Sequence, residues 1–227
     1  MCAGPCTHAG LADGRTEQDA PLALLREPFI PKPGASRDNG PGPIAVDEAA
    51  VASILFTSGT TVSPKAVQLT HRNFISNATA LVKVHRIGPA DQMLSVLPMY
   101  HAFEFTGGLV VPLAAGATIT YVEQLKGPEI VSAMQTTGTT IMLVVPRLLK
   151  MFHDAIQDGV ARSGFLRRGL FRFLGRLSDL SGHRLGRKLF GSVHKRFGGS
   201  LRMFVCGGSR LDPDLFDAFR RLGFEVY

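Results

Sequence analysis

The sequence predicts an α/β fold with a largely parallel sheet flanked by helices. Two observations carry this expectation. Short apolar runs rich in β-branched residues alternate with segments of helical periodicity. Several of the runs also stop abruptly at Pro98, Pro146 or Gly207, the punctuation of strands feeding turns and helices.

In chain order, Val51–Phe56 has the form of a buried parallel strand. A glycine- and hydroxyl-rich turn, Thr57–Lys65, follows it. Thr70 then caps a helix whose apolar positions are Phe74, Ile75, Ala78, Leu81 and Val82. Met93–Leu97 reads as a strand, and Leu109–Leu113 as an apolar run leading to a turn at Gly116. Ala117–Val122 is another strand, followed by a helix over Pro128–Gln135. Thr139–Val145 is a strand, and Pro146 opens a helix through Asp158. Residues 164–197 read as two basic helices. Leu201–Cys206 is a strand, a helix opens at Pro213, and Phe224–Val226 begins one more strand. Residues 1–44, rich in Pro and Gly, are expected to form a loop-like or disordered leader ahead of a partial domain at 45–227.

Composition narrows the class. A hydrophobic content of 45% over 227 residues is enough for a core and excludes wholesale disorder. No apolar run reaches the ~20 residues of a membrane-spanning helix, and the Met1 end lacks a secretory signal pattern. Cys2, Cys6 and Cys206 are too few for a disulfide framework, and His8 gives the first two no zinc-like partner set. A reducing, cytoplasmic compartment is expected, with no metal site in this chain.

The most informative stretch is Thr57-Ser58-Gly59-Thr60-Thr61-Val62-Ser63-Pro64-Lys65. Hydroxyls and backbone N–H groups offer donors to a polyphosphate. Gly59 lets the backbone approach, and Lys65 adds charge. It is not a Walker A loop, because Pro64 and Ala66 stand where that pattern needs glycine and a hydroxyl.

Thr57–Lys65 resembles the [ST]-S-G-T-T-G-x-P-K-G signature of AMP-forming adenylating enzymes, with Val62 and Ala66 replacing its two later glycines. Other segments agree in order. They are Leu69-Thr70-His71-Arg72-Asn73; Leu97-Pro98-Met99-Tyr100-His101-Ala102-Phe103-Glu104; Pro112-Leu113 with Gly116-Ala117; Val145-Pro146-Arg147; and Phe197-Gly198-Gly199 with Gly207-Gly208-Ser209. The pattern is most similar to long-chain fatty-acyl-CoA synthetases. It covers roughly 45–227 and implies an incomplete N-terminal domain of an adenylate-forming enzyme.

The resemblance implies ATP-dependent activation of a fatty acid to an acyl-adenylate and then to acyl-CoA. ATP, Mg²⁺ and coenzyme A would be the cofactor and co-substrates. Thr57, Ser58, Gly59, Thr60, Thr61 and Lys65 would contact phosphate. His101 would sit beside the carboxylate substrate, and Gly207, Gly208 and Ser209 near the adenine and acyl carbonyl. The Mg²⁺ acid is expected beyond Tyr227, so the chain alone is expected not to complete adenylation. Val62 and Ala66 would narrow the phosphate loop. Met99, Phe103 and Phe105 line either an acyl pocket or the core. Two alternatives stand beside this reading: a fatty-acyl-AMP or acyl-carrier-protein ligase, and an inactive remnant that at most binds nucleotide or partners.

Positive charge is concentrated between Arg147 and Arg202, with thirteen Lys and Arg against three acids. Within 164–177, Phe165, Leu166, Leu170, Phe173, Leu174 and Leu177 share one helical face, and Arg167, Arg168, Arg172 and Arg176 the other. This pattern fits a surface helix with its apolar face on the core, or a helix lying on an anionic membrane. Neither RNP-type aromatics nor zinc spacing accompanies the charge, so nucleic acid is not an expected partner.

Overall fold

The structure is a computed structural model and describes residues 46–57, 65–122 and 126–227. Its centre is a parallel sheet of β3 (Gln92–Ser95), β4 (Thr118–Tyr121), β5 (Ile141–Val144), β6 (Met203–Cys206) and β7 (Glu225–Val226). The spatial order is β4-β3-β5-β6-β7. β1 (Val51–Thr57) and β2 (Lys65–Thr70) form a separate pair. The helices are α1 (His71–His85), α2 (Ala102–Glu104), α3 (Val111–Ala115), α4 (Gly127–Thr137), α5 (Pro146–Ala161), α6 (Phe165–Leu180), α7 (Gly186–Leu189), α8 (Gly191–Arg196) and α9 (Pro213–Arg221). A π-helical turn, Phe105–Val110, joins α2 to α3.

The parallel α/β expectation holds, and its physical basis is visible along the central strands. Side chains alternate across a strand. Met93, Ile141, Leu143 and Met203 point to one face, and Leu94, Met142, Val144 and Phe204 to the other. Both faces are covered, so the strands read as continuous apolar runs. On one face Phe152, Phe197, Phe204, Phe219 and Phe224 interlock in edge-to-face and tilted pairs at centroid distances of 5.3–6.2 Å. On the other, α1, the π-helical turn and α3 pack over Met93, Ile141 and Met203.

The amino end of the sheet is pinned by an ion pair. Arg202 Nε and Nη2 donate to the two Asp91 carboxylate oxygens at 3.2 Å each, and Thr140 Oγ1 donates to Oδ1 at 2.7 Å. These groups precede β3, β5 and β6, so the pair ties the starts of three strands. Burial by itself would raise the Asp91 pKa. The Arg202 and Thr140 hydrogen bonds and the Arg202 charge outweigh it and hold the carboxyl below its usual range.

The sequence reading needs correction at several points. β1 is not a buried parallel strand. It pairs antiparallel with β2, and Val51, Ile54 and Phe56 are exposed. The reason is proximity: Lys65–Thr70 follows closely enough for local pairing, whereas a parallel neighbour needs a crossover. Leu109–Leu113 is helical, closed at Gly116 in the left-handed conformation (φ 68°). Three helices, not two, occupy the basic segment. The helix capped by Thr70 forms as expected: Asn73 N donates to Thr70 Oγ1, and Thr70 N donates to Asn73 Oδ1. Cys206 is a free thiol, and Cys2 and Cys6 lie outside the described residues.

Candidate active site at the carboxyl edge of the sheet

The strand order locates the site. After β3 the chain moves outward to β4, then crosses back over β3 to β5 and continues away through β6 and β7. The order therefore reverses between β3 and β5. In open α/β sheets, ligands bind in the crevice beyond the carboxyl ends of the strands at this switch. The segments after β3, β5 and β6 emerge there. They are Leu97–Glu104, Val145-Pro146-Arg147 and Gly207-Gly208-Ser209.

His101 stands at the N-terminus of α2, with its backbone extended (φ −87°, ψ 134°) and its side chain exposed. Its N–H donates to Pro98 O at 3.1 Å and its carbonyl accepts from Phe105 N at 2.9 Å. The Tyr100 ring lies beside the imidazole at 4.4 Å. Two residues on, Phe103 packs directly on Gly207, where a Cβ would sit 2.6 Å from the ring. Gly207 N donates to Val144 O at 3.0 Å, which holds that turn to β5. Gly208 has φ 84°, a conformation that favours glycine, and Ser209 is exposed. Thus the structure brings the His101 segment and the Gly207–Ser209 turn together, with Phe103 as the contact.

Thr57 and Lys65 face each other as partners across the β1–β2 pair. The ends of the hydroxyl-rich turn are therefore held side by side. Ser58, Gly59, Thr60, Thr61 and Val62 lie outside the described residues. Ala66 pairs with Phe56 in β2, and its φ is outside the left-handed region. From β2 the chain passes directly into α1, and Phe74 packs edge to face on Phe105 at 5.4 Å. That contact ties the hairpin's helix to the His101 segment.

Beneath the segment lies an apolar cavity of about 410 Å³. Leu81 and His85 of α1, Met93 and Leu143 of the sheet, and Phe103 and Gly107 line it. Gly107 lets the π-helical backbone lie on the sheet, since a Cβ would sit 2.6 Å from Leu143. π-Helical turns concentrate at functional sites. Of the three residues read as pocket or core, Phe103 lines the cavity. Phe105 packs on Phe74, and Met99 accepts a 3.9 Å contact from Ser95 Oγ.

Sequence reasoning missed Glu104. It is fully buried, and Ser95 Oγ donates to its Oε1 at 2.5 Å. Burial pushes its pKa up to about 7, against the opposing hydrogen bonds from Ser95 and the Leu97 backbone. Oε2 has no side-chain or backbone partner within hydrogen-bond geometry among the described residues. Tyr121 is pushed up as well, by its own burial first and by the Glu104 charge second. The available signal was an acid inside an otherwise apolar helical run, three residues after His101. His85, which lines the cavity, is held below its ordinary value by burial and by the Arg202 charge. No cluster of three or more His, Cys, Asp or Glu able to hold a metal occurs among the described residues. No Mg²⁺ ligand set is therefore assigned to them.

The profile of the AMP-binding enzyme family matches residues 9–227. Long-chain-fatty-acid–CoA ligase 1 of Homo sapiens is 31% identical over 207 residues, covering 86% of this chain and 29% of that protein. Long chain acyl-CoA synthetase 8 of Arabidopsis thaliana is 28% identical over 196 residues, covering 78% of this chain and 27% of its own. The chain thus spans under a third of the length of these curated relatives. Among solved structures, the O-succinylbenzoate coenzyme A synthetase of Bacillus subtilis with AMP superposes with a TM-score of 0.56. It is 20% identical and covers 79% of this chain and 29% of its own. Apo MatB from Rhodopseudomonas palustris gives 0.56 at 22% identity, over 81% and 29%. With a family profile running across nearly its whole length, this chain belongs to the AMP-binding enzymes.

Proposed function

We propose that this chain is the part of an ATP-dependent long-chain fatty-acid–CoA ligase that holds the acyl chain and the triphosphate. The observation that carries the reading is the apolar cavity lined by Ala102 and Phe103, the two residues that follow His101. A fatty acid laid in it would place its tail against Leu81, Met93 and Leu143 and its carboxylate at the rim. Burial of an alkyl chain contributes about 0.8 kcal/mol per CH₂, which gives the cavity its driving force.

In this reading the fatty-acid carboxylate oxygen attacks the α-phosphorus of ATP. The bond to the bridging oxygen breaks and pyrophosphate leaves. In a second step the sulfur of coenzyme A attacks the acyl carbonyl, the thiol proton is lost, and AMP leaves. The chain's own contribution is positioning and charge stabilisation. The His101 ring N–H would donate to the carboxylate. Thr57, Ser58, Gly59, Thr60, Thr61 and Lys65 would hold the departing phosphates. The Gly207–Ser209 backbone would border the adenine and acyl carbonyl. When bound, Mg²⁺ supplies charge neutralisation on the phosphates. We place the protein in the cytoplasm. No helix among the described residues is long and apolar enough to cross a membrane.

Binding of a fluorescent long-chain fatty acid to the purified chain tests the reading. Val205→Phe, which narrows the cavity from the sheet side, is expected to weaken binding at least ten-fold. ATP-induced thermal stabilisation is expected to survive in that variant. Unchanged fatty-acid affinity would remove the cavity from the proposal. Pyrophosphate exchange by the chain alone is expected to fall far below that of a full-length relative.

A further inference from the structure

The folded helix α6 presents to solvent the very residues that a core-facing helix would hide. Its inner side is Phe171, Leu174, Gly175 and Ser178. Phe171 packs on Phe190 at 5.0 Å, Leu174 joins the core cluster, and Ser178 Oγ donates to Arg221 O at 2.7 Å. The helix is therefore anchored along one stripe. Phe165, Leu166, Leu170, Phe173 and Leu180 lie on another, spanning about 140° at the helical repeat. Phe165, Leu166 and Leu180 are 83%, 84% and 86% exposed. The reading with the apolar face on the core is thus overturned for these residues.

The charge around this stripe selects what covers it. At the helical repeat Arg168 and Arg172 border it on one side, Arg176 falls just inside that edge, and Arg167 lies beyond Leu170 and Leu174 on the other; all four are exposed. No acid lies between Asp158 and Asp179, and none of these four arginines forms an ion pair with a described residue. The nearest acids are occupied: Asp158 faces Arg162, and Asp179 faces Arg221 and His183.

We propose that α6 is a membrane-docking helix that lies in the plane of an anionic lipid surface. Phe165, Leu166, Leu170 and Phe173 enter the acyl boundary, and the flanking arginines reach the phosphate level. A second copy of the chain would bring the same uncompensated arginines together across the contact. An anionic headgroup layer neutralises them. The proposal does not rest on the ligase reading, since it concerns a face built from α6 alone.

Co-flotation of the purified 227-residue chain with lipid vesicles tests it. The chain is expected to float with phosphatidylcholine vesicles containing phosphatidylglycerol and to stay behind with phosphatidylcholine alone. Arg172→Gln with Arg176→Gln is expected to reduce binding about thirty-fold, from two charges near an anionic surface. Phe165→Ser with Leu166→Ser is expected to reduce it at least ten-fold. All four side chains are exposed, so both variants should keep the parent circular dichroism and melting temperature. Flotation that ignores lipid charge, no flotation, or unaltered binding by either variant overturns the proposal. So does light scattering that shows a dimer dissolved by the serine variant without lipid dependence, which would assign the face to a second copy.

Discussion

The two faces of the central sheet are built from adjacent residues of the same strands, yet they are packed in opposite ways. On β6, Phe204 points into a cluster of five interlocking rings and is fully buried. Its neighbour Val205 points the other way, into the wall of a cavity of about 410 Å³. One face is filled with rigid aromatic surface. The other is spanned by a π-helical turn, with an apolar space left beside it. Close packing is the norm in protein interiors, so the unfilled apolar space beside the strand-order switch is the place the proposed function assigns to the acyl chain. The two edges differ in the same sense. The amino edge has its buried acid, Asp91, hydrogen-bonded by Arg202 and Thr140. The carboxyl edge has Glu104 with one oxygen that has no hydrogen-bond partner among the described residues.

Paired substitutions on β6 test this contrast most strongly. Phe204→Ala should cost about 3–5 kcal/mol in denaturant unfolding, through lost burial and a new void. Val205→Ala should cost about 1 kcal/mol, because it enlarges a space already present. Equal costs would mean that the two faces are equally packed.

Removing the pin at the amino edge should rank next. Arg202→Ala leaves the Asp91 carboxylate without its cation, at a cost of about 2–3 kcal/mol for this partly buried pair. The pair also predicts a pH dependence. The folded-state pKa of Asp91 lies below its ordinary 3.8, so its stabilisation is present above that value and is lost as pH falls through the folded pKa. Asp91→Asn should be less stable than the parent at neutral pH and converge with it in acid.

The effect at the carboxyl edge has the opposite sign. Glu104 is raised from 4.5 to about 7, so folding favours its protonated form. Its contribution is fully present below pH 4.5 and is lost as pH rises through about 7. Glu104→Gln, which stays neutral, should flatten the fall in melting temperature across that range. A parent and variant with parallel pH profiles would show that Glu104 ionises freely and that the carboxyl edge is wetter than described.

Much of this was readable beforehand for local reasons. Thr70 and Asn73 cap each other across three residues, and Pro146 starts α5 because its missing N–H has no partner to lose. The segments after β3, β5 and β6 could be recognised one by one. Their meeting at one edge could not, because Phe103 and Gly207 are brought together by strand order. Glu104 escaped notice because burial is a property of its surroundings. Its neighbours Phe103 and Phe105 signalled an apolar helix with one polar position, without saying which way that position faced.

By itself the sequence determined which segments form strands and helices of the parallel sheet and which family's motifs they carry. Those properties reside in periodicity, caps and residue spacing. Tertiary structure decided the partners. It paired β1 with β2 antiparallel, left a cavity on one face, and used only one stripe of α6 for the core. A helix can display a wide apolar arc, but how much of it is covered depends on the width of the surface it meets. The neighbours Phe190 and Arg221 reach only Phe171, Leu174, Gly175 and Ser178, so the remaining arc of Phe165, Leu166 and Phe173 stays exposed.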